Sequence, residues 1–383
     1  MSSNLHAASS QWANRPADER FWALSDMRAA CTVARNNSVG AVAPMSSLSA
    51  TVIGDEVGLV GTSNVPAKFT NYAFGQFCAN VGAPATYLRS LPAQVATDCL
   101  NVGLARKADT SDRHLLFHKN GGLTLRASLS DVYDRVWDDD VCQMLEGLDG
   151  WRTPAGLYSG HGESRIATAE DILPGQINIG AGSKIGPAGL YASDHDLFAF
   201  LVAPDRVIKG GSGGGSLMRG IFVRNSEVGD SSLSMTFFLM DAVCGNHIVW
   251  GATGVHELKV RHAGRNTARK AFHGFETELR KYRDGAAEEE AGIEAAKKYV
   301  LGVSKEECLN AILKYAKGHS LELSKERVSS ALDCAEEHET WYGNPRTVWA
   351  AVAGLTHTSQ RTGFADDRAK IDKAAGKLMN MAF

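Results

Sequence analysis

The chain has 383 residues, 44% hydrophobic and 22% charged, with a formal net charge of −3. That composition is globular, with length for two or three cores, and it excludes a uniformly basic nucleic-acid coat. No run of about eighteen apolar residues occurs, which excludes a membrane-spanning helix, and Arg15, Asp18, Glu19 and Arg20 interrupt any apolar leader, so an intracellular setting is expected.

Residues 1–66 read as an irregular N-terminal segment with short strands at 47–53 and 57–60. An α+β core over 67–262 opens with a helical pair. The first helix, 69–81, places Tyr72, Phe74, Phe77, Cys78 and Val81 on one broad apolar face and stops before Pro84. The second, 92–106, has Pro92 in its first turn and turns Val95, Cys99 and Leu100 inward. A hairpin follows at 113–118 and 123–129, closed on Gly121-Gly122, then a short helix at 138–148. Residues 151–195 are rich in Gly, Pro and Ser and read as a long excursion. Strand patterns return at 197–202, 217–224, 232–240 and 243–249, the last of which reads equally as a short helix. A helical region over 263–383 follows, with helices near 264–283, 286–301, 304–317, 324–338, 345–359 and 366–381. Ser304-x-x-Glu307 is a capping-box start, Ser324 an N-cap, and Pro345 a first-turn proline. The predicted fold class is α+β: an antiparallel sheet core with an N-terminal helical pair and a C-terminal helical bundle.

Several constellations invite a chemical reading. The glycine-rich loop 210–216 lacks the Gly-Lys-Ser/Thr of a phosphate-binding loop and is followed by a strand, so it reads as a connection. Cys31, Cys78, Cys99, Cys142, Cys244, Cys308 and Cys334 are scattered and never form C-x-x-C. They read as reduced, packed thiols, not as disulfides or a zinc site. Cys244 and His247 are close in sequence, but the apolar surroundings of Cys244 favour an inert thiol. Asp194, His195, Asp196 and Glu227 are metal-ligand types, while Asp138, Asp139 and Asp140 suit a helix N-terminus. No cofactor motif is found, and no metal or cofactor is expected.

The basic stretch 259–270 is the strongest lead. Lys259, Arg261, Arg265, Arg269 and Lys270, with His262, occur there with no acidic residue between them. Arg261, Arg265 and Arg269 lie four residues apart and would form one stripe on a strand end and helix start. Lys209, Arg219 and Arg224 add cations nearby. Such rows neutralise phosphates, and Trp250, Phe272 and Phe275 are candidates to stack bases.

The run Arg219-Gly-Ile-Phe-Val-Arg-Asn-Ser-Glu-Val-Gly229, followed by Cys244-Gly-Asn246, resembles the phage- and plasmid-related family called domain of unknown function 932. Tyr72-Ala-Phe-Gly-Gln-Phe-Cys78, Gly82-Ala-Pro-Ala-Thr-Tyr-Leu88, Leu129-Ser-Asp-Val-Tyr133 and Tyr342-Gly-Asn-Pro-Arg-Thr-Val-Trp349 are similar to the same family, so the likeness spans most of 65–383. His247 departs from it, standing where the family often has glycine. The resemblance implies a mobile-element setting, in the cytoplasm of a bacterial host, and no particular activity. Asn225, Ser226, Glu227 and Gly229 read as a tight turn, with Cys244 and Asn246 packed behind it.

Three functions follow. The first is a nucleic-acid-binding accessory protein of a phage or plasmid, acting on single-stranded DNA in recombination, annealing or protection, assembled as a ring or filament. The second is a protein that binds and inhibits a host defence system, using the acidic run 288–290 and the helical C-terminal part, with a host or phage protein as partner. The third is a metal-dependent nuclease built on Asp194, His195, Asp196 or Glu227. The lead goes to the first.

Overall fold

This computed structural model describes residues 16–21, 23–61, 64–107, 112–153, 157–160, 163–166, 190–211, 213, 215–241, 247–248, 257–284, 286–359 and 365–382. After β1 (Arg20–Phe21) and α1 (Leu24–Asn36) comes a first α+β layer. Its elements are β2 (Ser38–Pro44), β3 (Ser49–Ile53), β4 (Glu56–Val60), β5 (Ala67–Phe69), α2 (Asn71–Val81), α3 (Ala85–Leu88), α4 (Ala93–Lys107), β6 (Asp112–Lys119) and β7 (Leu123–Ser130). The strands form one sheet in the order β2-β6-β7-β5-β4-β3, antiparallel except between β5 and β7.

The helical pair packs on this sheet. Thr70 caps α2 by accepting from the Ala73 N–H at 3.1 Å, and Gly82, at φ 74°, closes it in the left-handed conformation that glycine adopts without steric cost. Phe74, Phe77, Cys78 and Val81 then meet Leu59, Leu115 and Leu125 in one core. On α4 the inward face is rotated from the one expected: Ala96 and Leu100 are buried, whereas Val95 and Cys99 are exposed. The small Ala96 and Thr97 let the helix lie close to β3, where Asn101 exchanges two hydrogen bonds with the Ala50 backbone.

α5 (Asp138–Glu146) and the hairpin of β8 (Leu157–Gly160) and β9 (Glu163–Ile166) lead to the second sheet. Its remaining strands are β10 (Leu190–Ala192), β11 (Leu197–Lys209), β12 (Ser216–Asn225), β13 (Leu233–Asp241), β14 (His247–Ile248) and β15 (Glu257–Val260). The order is β1-β10-β11-β12-β13-β14, with β15 also on β13, and every pair is antiparallel.

The rest is helical: α6 (Thr267–Asp284), α7 (Ala286–Lys298), α8 (Lys305–Gly318), α9 (Lys325–Glu337), α10 (Glu339–Tyr342), α11 (Val348–Ser359) and α12 (Ala365–Leu378). Ser304 and Ser324 cap α8 and α9 as expected. Pro345 lies in the turn before α11 and not in its first turn. Thr347 accepts from the Ala350 N–H at 3.3 Å. α6 buries Ala271, Phe275, Leu279 and Tyr282, spaced three or four apart, against the alternating Leu217, Ile221, Val223, Met235, Phe237 and Leu239 of the sheet. Sheet and C-terminal helices therefore share one core.

The architecture is α+β, but the expected boundaries fall inside packed units. The cut at 66 separates β4 from its partner β5, and the cut at 262 separates the second sheet from the helices that bury it. The N-terminal segment also holds α1 and a strand pairing with β6 from Asp112 to His118, which the small, polar composition of 24–44 conceals.

Candidate nucleic-acid interface and the buried turn behind it

Strand register sorts the predicted cations. Arg224, Ser234 and Lys259 stand directly opposite one another on β12, β13 and β15, so their side chains share one face of the sheet. Lys259 is exposed, while Arg224 is half-buried and holds Asp230 at 3.1 Å. Lys209 is exposed but pairs with Ser216, at the opposite end of the same strands, away from the row of Lys259. Arg219 falls on the other face, alternating with Ile221 and Val223. It is 1% exposed, ion-paired with the fully buried Glu289 and stacked over Tyr282 at 5.1 Å. Arg219 is therefore withdrawn from the interface.

The basic stretch does not form a helical stripe. Gly264 and Asn266 have φ of 103° and 59°, and α6 begins only at Thr267, whose N–H donates to Asp134 Oδ2 at 2.6 Å. Arg261 and Arg265 thus project from a loop, and Arg269 and Lys270 from the first turn of α6. All four, with Lys259, are exposed, and among the described residues none takes part in an ion pair. Arg269 lies opposite the apolar stripe of Ala271 and Phe275, which gives it its outward aim.

His262 is the exception. It is 6% exposed, and burial lowers its pKa to about 4, so it is neutral. Its Nε2 accepts from the Leu233 N–H at 3.1 Å, which leaves the proton on Nδ1 to donate to Tyr133 Oη at 2.7 Å. Tyr133 Oη in turn donates to the Ser226 carbonyl at 2.9 Å. This relay ties the basic loop to the turn between β12 and β13.

That turn carries the motif Asn225-Ser-Glu-Val-Gly229, and Asn225, Ser226 and Glu227 are almost fully buried. Asn225 Nδ2 donates to Val136 O at 2.9 Å and Asp138 Oδ1 at 2.7 Å. Ser226 Oγ donates to His195 O at 2.6 Å and accepts from the N–H groups of Val228 and Asp230. Glu227 Oε2 meets Arg126 at 3.0 Å, and Oε1 accepts from the Asp138 N–H at 2.9 Å. Arg135 donates to the Glu227 carbonyl. Val228 enters the first sheet beside Leu116 and Ala127, with its carbonyl held by Gln76 at 2.7 Å. Gly229 sits at φ 87°, a backbone conformation that strains residues with a side chain, and this is what calls for glycine; the nearest atom to a Cβ there, Leu129 Cδ2 at 2.8 Å, is the movable end of a side chain. Asp138 is held well above the ordinary carboxylate range by burial and then by the charge of Glu227. The motif is a polar rivet joining the two sheets. Arg126, Tyr133, Arg135 and Asp138 complete it; of these only Tyr133, at the end of the family-like segment 129–133, belongs to a motif read from the sequence. Arg126 stands between Leu125 and Ala127, and an isolated arginine between apolar residues is a hint that the sequence offers.

Other expectations change. Phe275 is 1% exposed in the core and offers no stacking face, and Phe272 is half-buried and packs against that core. Trp250, Cys244 and Asn246 lie outside the described residues. Glu227 is committed to Arg126 and the Asp138 N–H, and among the described residues it forms no metal-ligand cluster with Asp194, His195 and Asp196. Ser193 Oγ donates to Asp196 Oδ1 at 2.5 Å, and Asp194 bonds His195 at 2.9 Å, which lowers the Asp194 pKa. Within the acidic run 288–290, Glu289 is interior and Glu290, half-buried, accepts from the Lys209 N–H, which leaves Glu288 as its exposed carboxylate. Among the described residues no helix is long and apolar enough to cross a membrane.

Comparison with known proteins gives one match. The profile of a family described as a domain of unknown function (DUF932) covers residues 179–379. It takes in the rivet motif, the basic loop and the C-terminal helices, but not the segments at 72–88 and 129–133. No curated protein and no solved structure matches the chain.

Proposed function

The chain belongs to the DUF932 family, and from that premise we propose that it is a nucleic-acid-binding accessory protein that contacts the phosphate backbone through the basic segment 259–270. One observation carries this reading. Lys259, Arg261, Arg265, Arg269 and Lys270 are exposed and without ion pairs among the described residues, whereas Arg28, Arg35, Arg126, Arg219 and Arg224 each face a carboxylate. Unpaired cations grouped on one rim raise the local potential and favour a polyanion. The relay through His262 and the Asp134 cap on α6 hold that rim on the rigid rivet, so the charges are presented on a fixed backbone.

With Phe275 and Phe272 engaged in packing, the reading rests on phosphates and not on base stacking. Single and double strands would then bind with similar affinity and weak sequence preference. The mobile-element setting comes from the family resemblance, with recombination or DNA protection as the process served.

Fluorescence-anisotropy titration of single- and double-stranded oligonucleotides over a salt series tests it. Binding should weaken steeply with salt, and the pair Arg265→Glu with Arg269→Glu should lower affinity at least tenfold and reduce the salt slope by about 2. Absence of binding at low salt, or binding that ignores this double change, sinks the proposal.

A further inference from the structure

Cys334 and His338 lie four residues apart, at the last turn of α9 and its C-cap, so their side chains stack on one side. The chain returns through α10 as α11, which crosses α9 so closely that a Cβ on Gly354 would stand 2.1 Å from the Ala331 carbonyl oxygen. That approach brings His357, one turn beyond Gly354, against the pair. The rings of His338 and His357 have centroids 4.7 Å apart, and ligand atoms of Cys334, His338 and His357 all lie within 4.8 Å of one another. No other such trio of Cys, His, Asp or Glu occurs among the described residues.

The geometry suits a thiophilic metal. Cys334 Sγ is 3.7 Å from His338 Nδ1, and the S···N edge of a zinc tetrahedron with ordinary bond lengths is about 3.6 Å. His338 Nδ1 now faces the Cys334 carbonyl at 2.9 Å, a contact it would exchange for the ion. Tyr342, 3% exposed, holds His357 Nδ1 at 2.7 Å, which orients the ring and presents Nε2, the outer support that ligating histidines commonly have. Cys334 is buried while both histidines are half-buried, giving an ion a path from solvent.

We propose that Cys334, His338 and His357 form a binding site for a divalent metal with affinity for thiolate and imidazole, Zn²⁺ above all, with a fourth position left to water or an external ligand. Binding displaces the thiol proton and forms one S–metal and two N–metal bonds. The ion then clamps the corner between α9 and α11. On sequence alone the absence of C-x-x-C argues against a zinc site. Here a C-x-x-x-H pair on one helix and a histidine from another supply the ligands, and only the crossing of the helices reveals it.

The test is titration of the full-length, metal-stripped chain with Co²⁺, followed by displacement with Zn²⁺. One equivalent should give tetrahedral d–d absorption and a thiolate-to-cobalt charge-transfer band, both erased by Zn²⁺. Cys334→Ser should abolish the charge-transfer band, and His357→Gln should weaken binding at least tenfold. Zn²⁺ should also raise the melting temperature of the parent chain but not that of His338→Gln, a half-exposed change that spares the buried thiol. Absence of the band in the parent, its survival in Cys334→Ser, or equal melting shifts in parent and His338→Gln overturn the proposal.

Discussion

Two arginine–glutamate pairs lie out of reach of water, and they are built to different standards. Arg126 and Glu227 join the two sheets with their hydrogen-bonding capacity widely used. Arg126 also donates to the Asp194 carbonyl through Nε and Nη2, and Glu227 also accepts from the Asp138 N–H. Arg219 and Glu289 join β12 to α7, yet Arg219 Nε and Glu289 Oε1 find no hydrogen-bond partner among the described residues. Burial accordingly pushes the Glu289 pKa up to about 7, against the opposing pull of Arg219. Desolvating two charges is offset only when the remaining lone pairs and protons are satisfied. The first pair meets that condition and serves as an anchor; the second is an internal charge held at a cost.

The largest effect should come from breaking the anchor. Arg126→Ala or Glu227→Ala should each cost about 3–5 kcal/mol in chemical denaturation, because each strands a buried charge and, for Arg126, frees the Asp194 carbonyl. A loss under about 1 kcal/mol would show that the rivet is not what joins the sheets.

Replacing each pair whole separates them most sharply. Arg219→Met with Glu289→Leu should be neutral or stabilising by about 1–4 kcal/mol, as apolar side chains suit that site. Arg126→Met with Glu227→Leu should remain destabilising, since backbone groups at Asp194 and Asp138 lose their partners. Equal outcomes would erase the distinction drawn above.

Acidity gives an intermediate effect with opposite signs at two sites. The folded pKa of Glu289 lies above its ordinary value of 4.5, so its stabilisation is full below about 4.5 and is lost as pH rises through about 7. His262 is depressed from 6.5 to about 4, so its contribution is full above 6.5 and is lost as pH falls through about 4. Stability curves of Glu289→Gln and His262→Gln, each subtracted from the parent, should therefore slope oppositely between pH 4 and 7. A flat Glu289 difference curve would mean that Arg219 compensates its charge fully.

The smallest effect belongs to the rim. Arg265→Glu with Arg269→Glu should shift stability by no more than about 0.5 kcal/mol, because both side chains are exposed and unpaired among the described residues. A larger loss would mean that these arginines support the fold.

Local pattern made much of the architecture legible. The hairpin on Gly121-Gly122, the caps at Ser304 and Ser324, and the strands β12 and β13 follow from short-range chemistry and stand where the pattern put them, while β11 starts as expected and runs on to Lys209. Strand alternation even held the answer for Arg219, which shares parity with Ile221 and Val223 on the core face. What misled was treating nearby cations as one surface. Nearness along the chain says nothing of which face of a sheet a residue occupies, nor of an acidic partner seventy residues away.

The sequence by itself determined the class of fold, the order and type of most elements, the family motif and the basic stretch, because each rests on neighbours within a turn or a strand. Tertiary structure decided which charges meet water. It buried Arg219, Glu227, Glu289 and His262, left Lys259, Arg261, Arg265, Arg269 and Lys270 outside, and brought Cys334, His338 and His357 within reach of one ion. Burial and convergence depend on how sheets and helices cross. Those crossings are set by packing between segments far apart in the chain, for which no local pattern is a record.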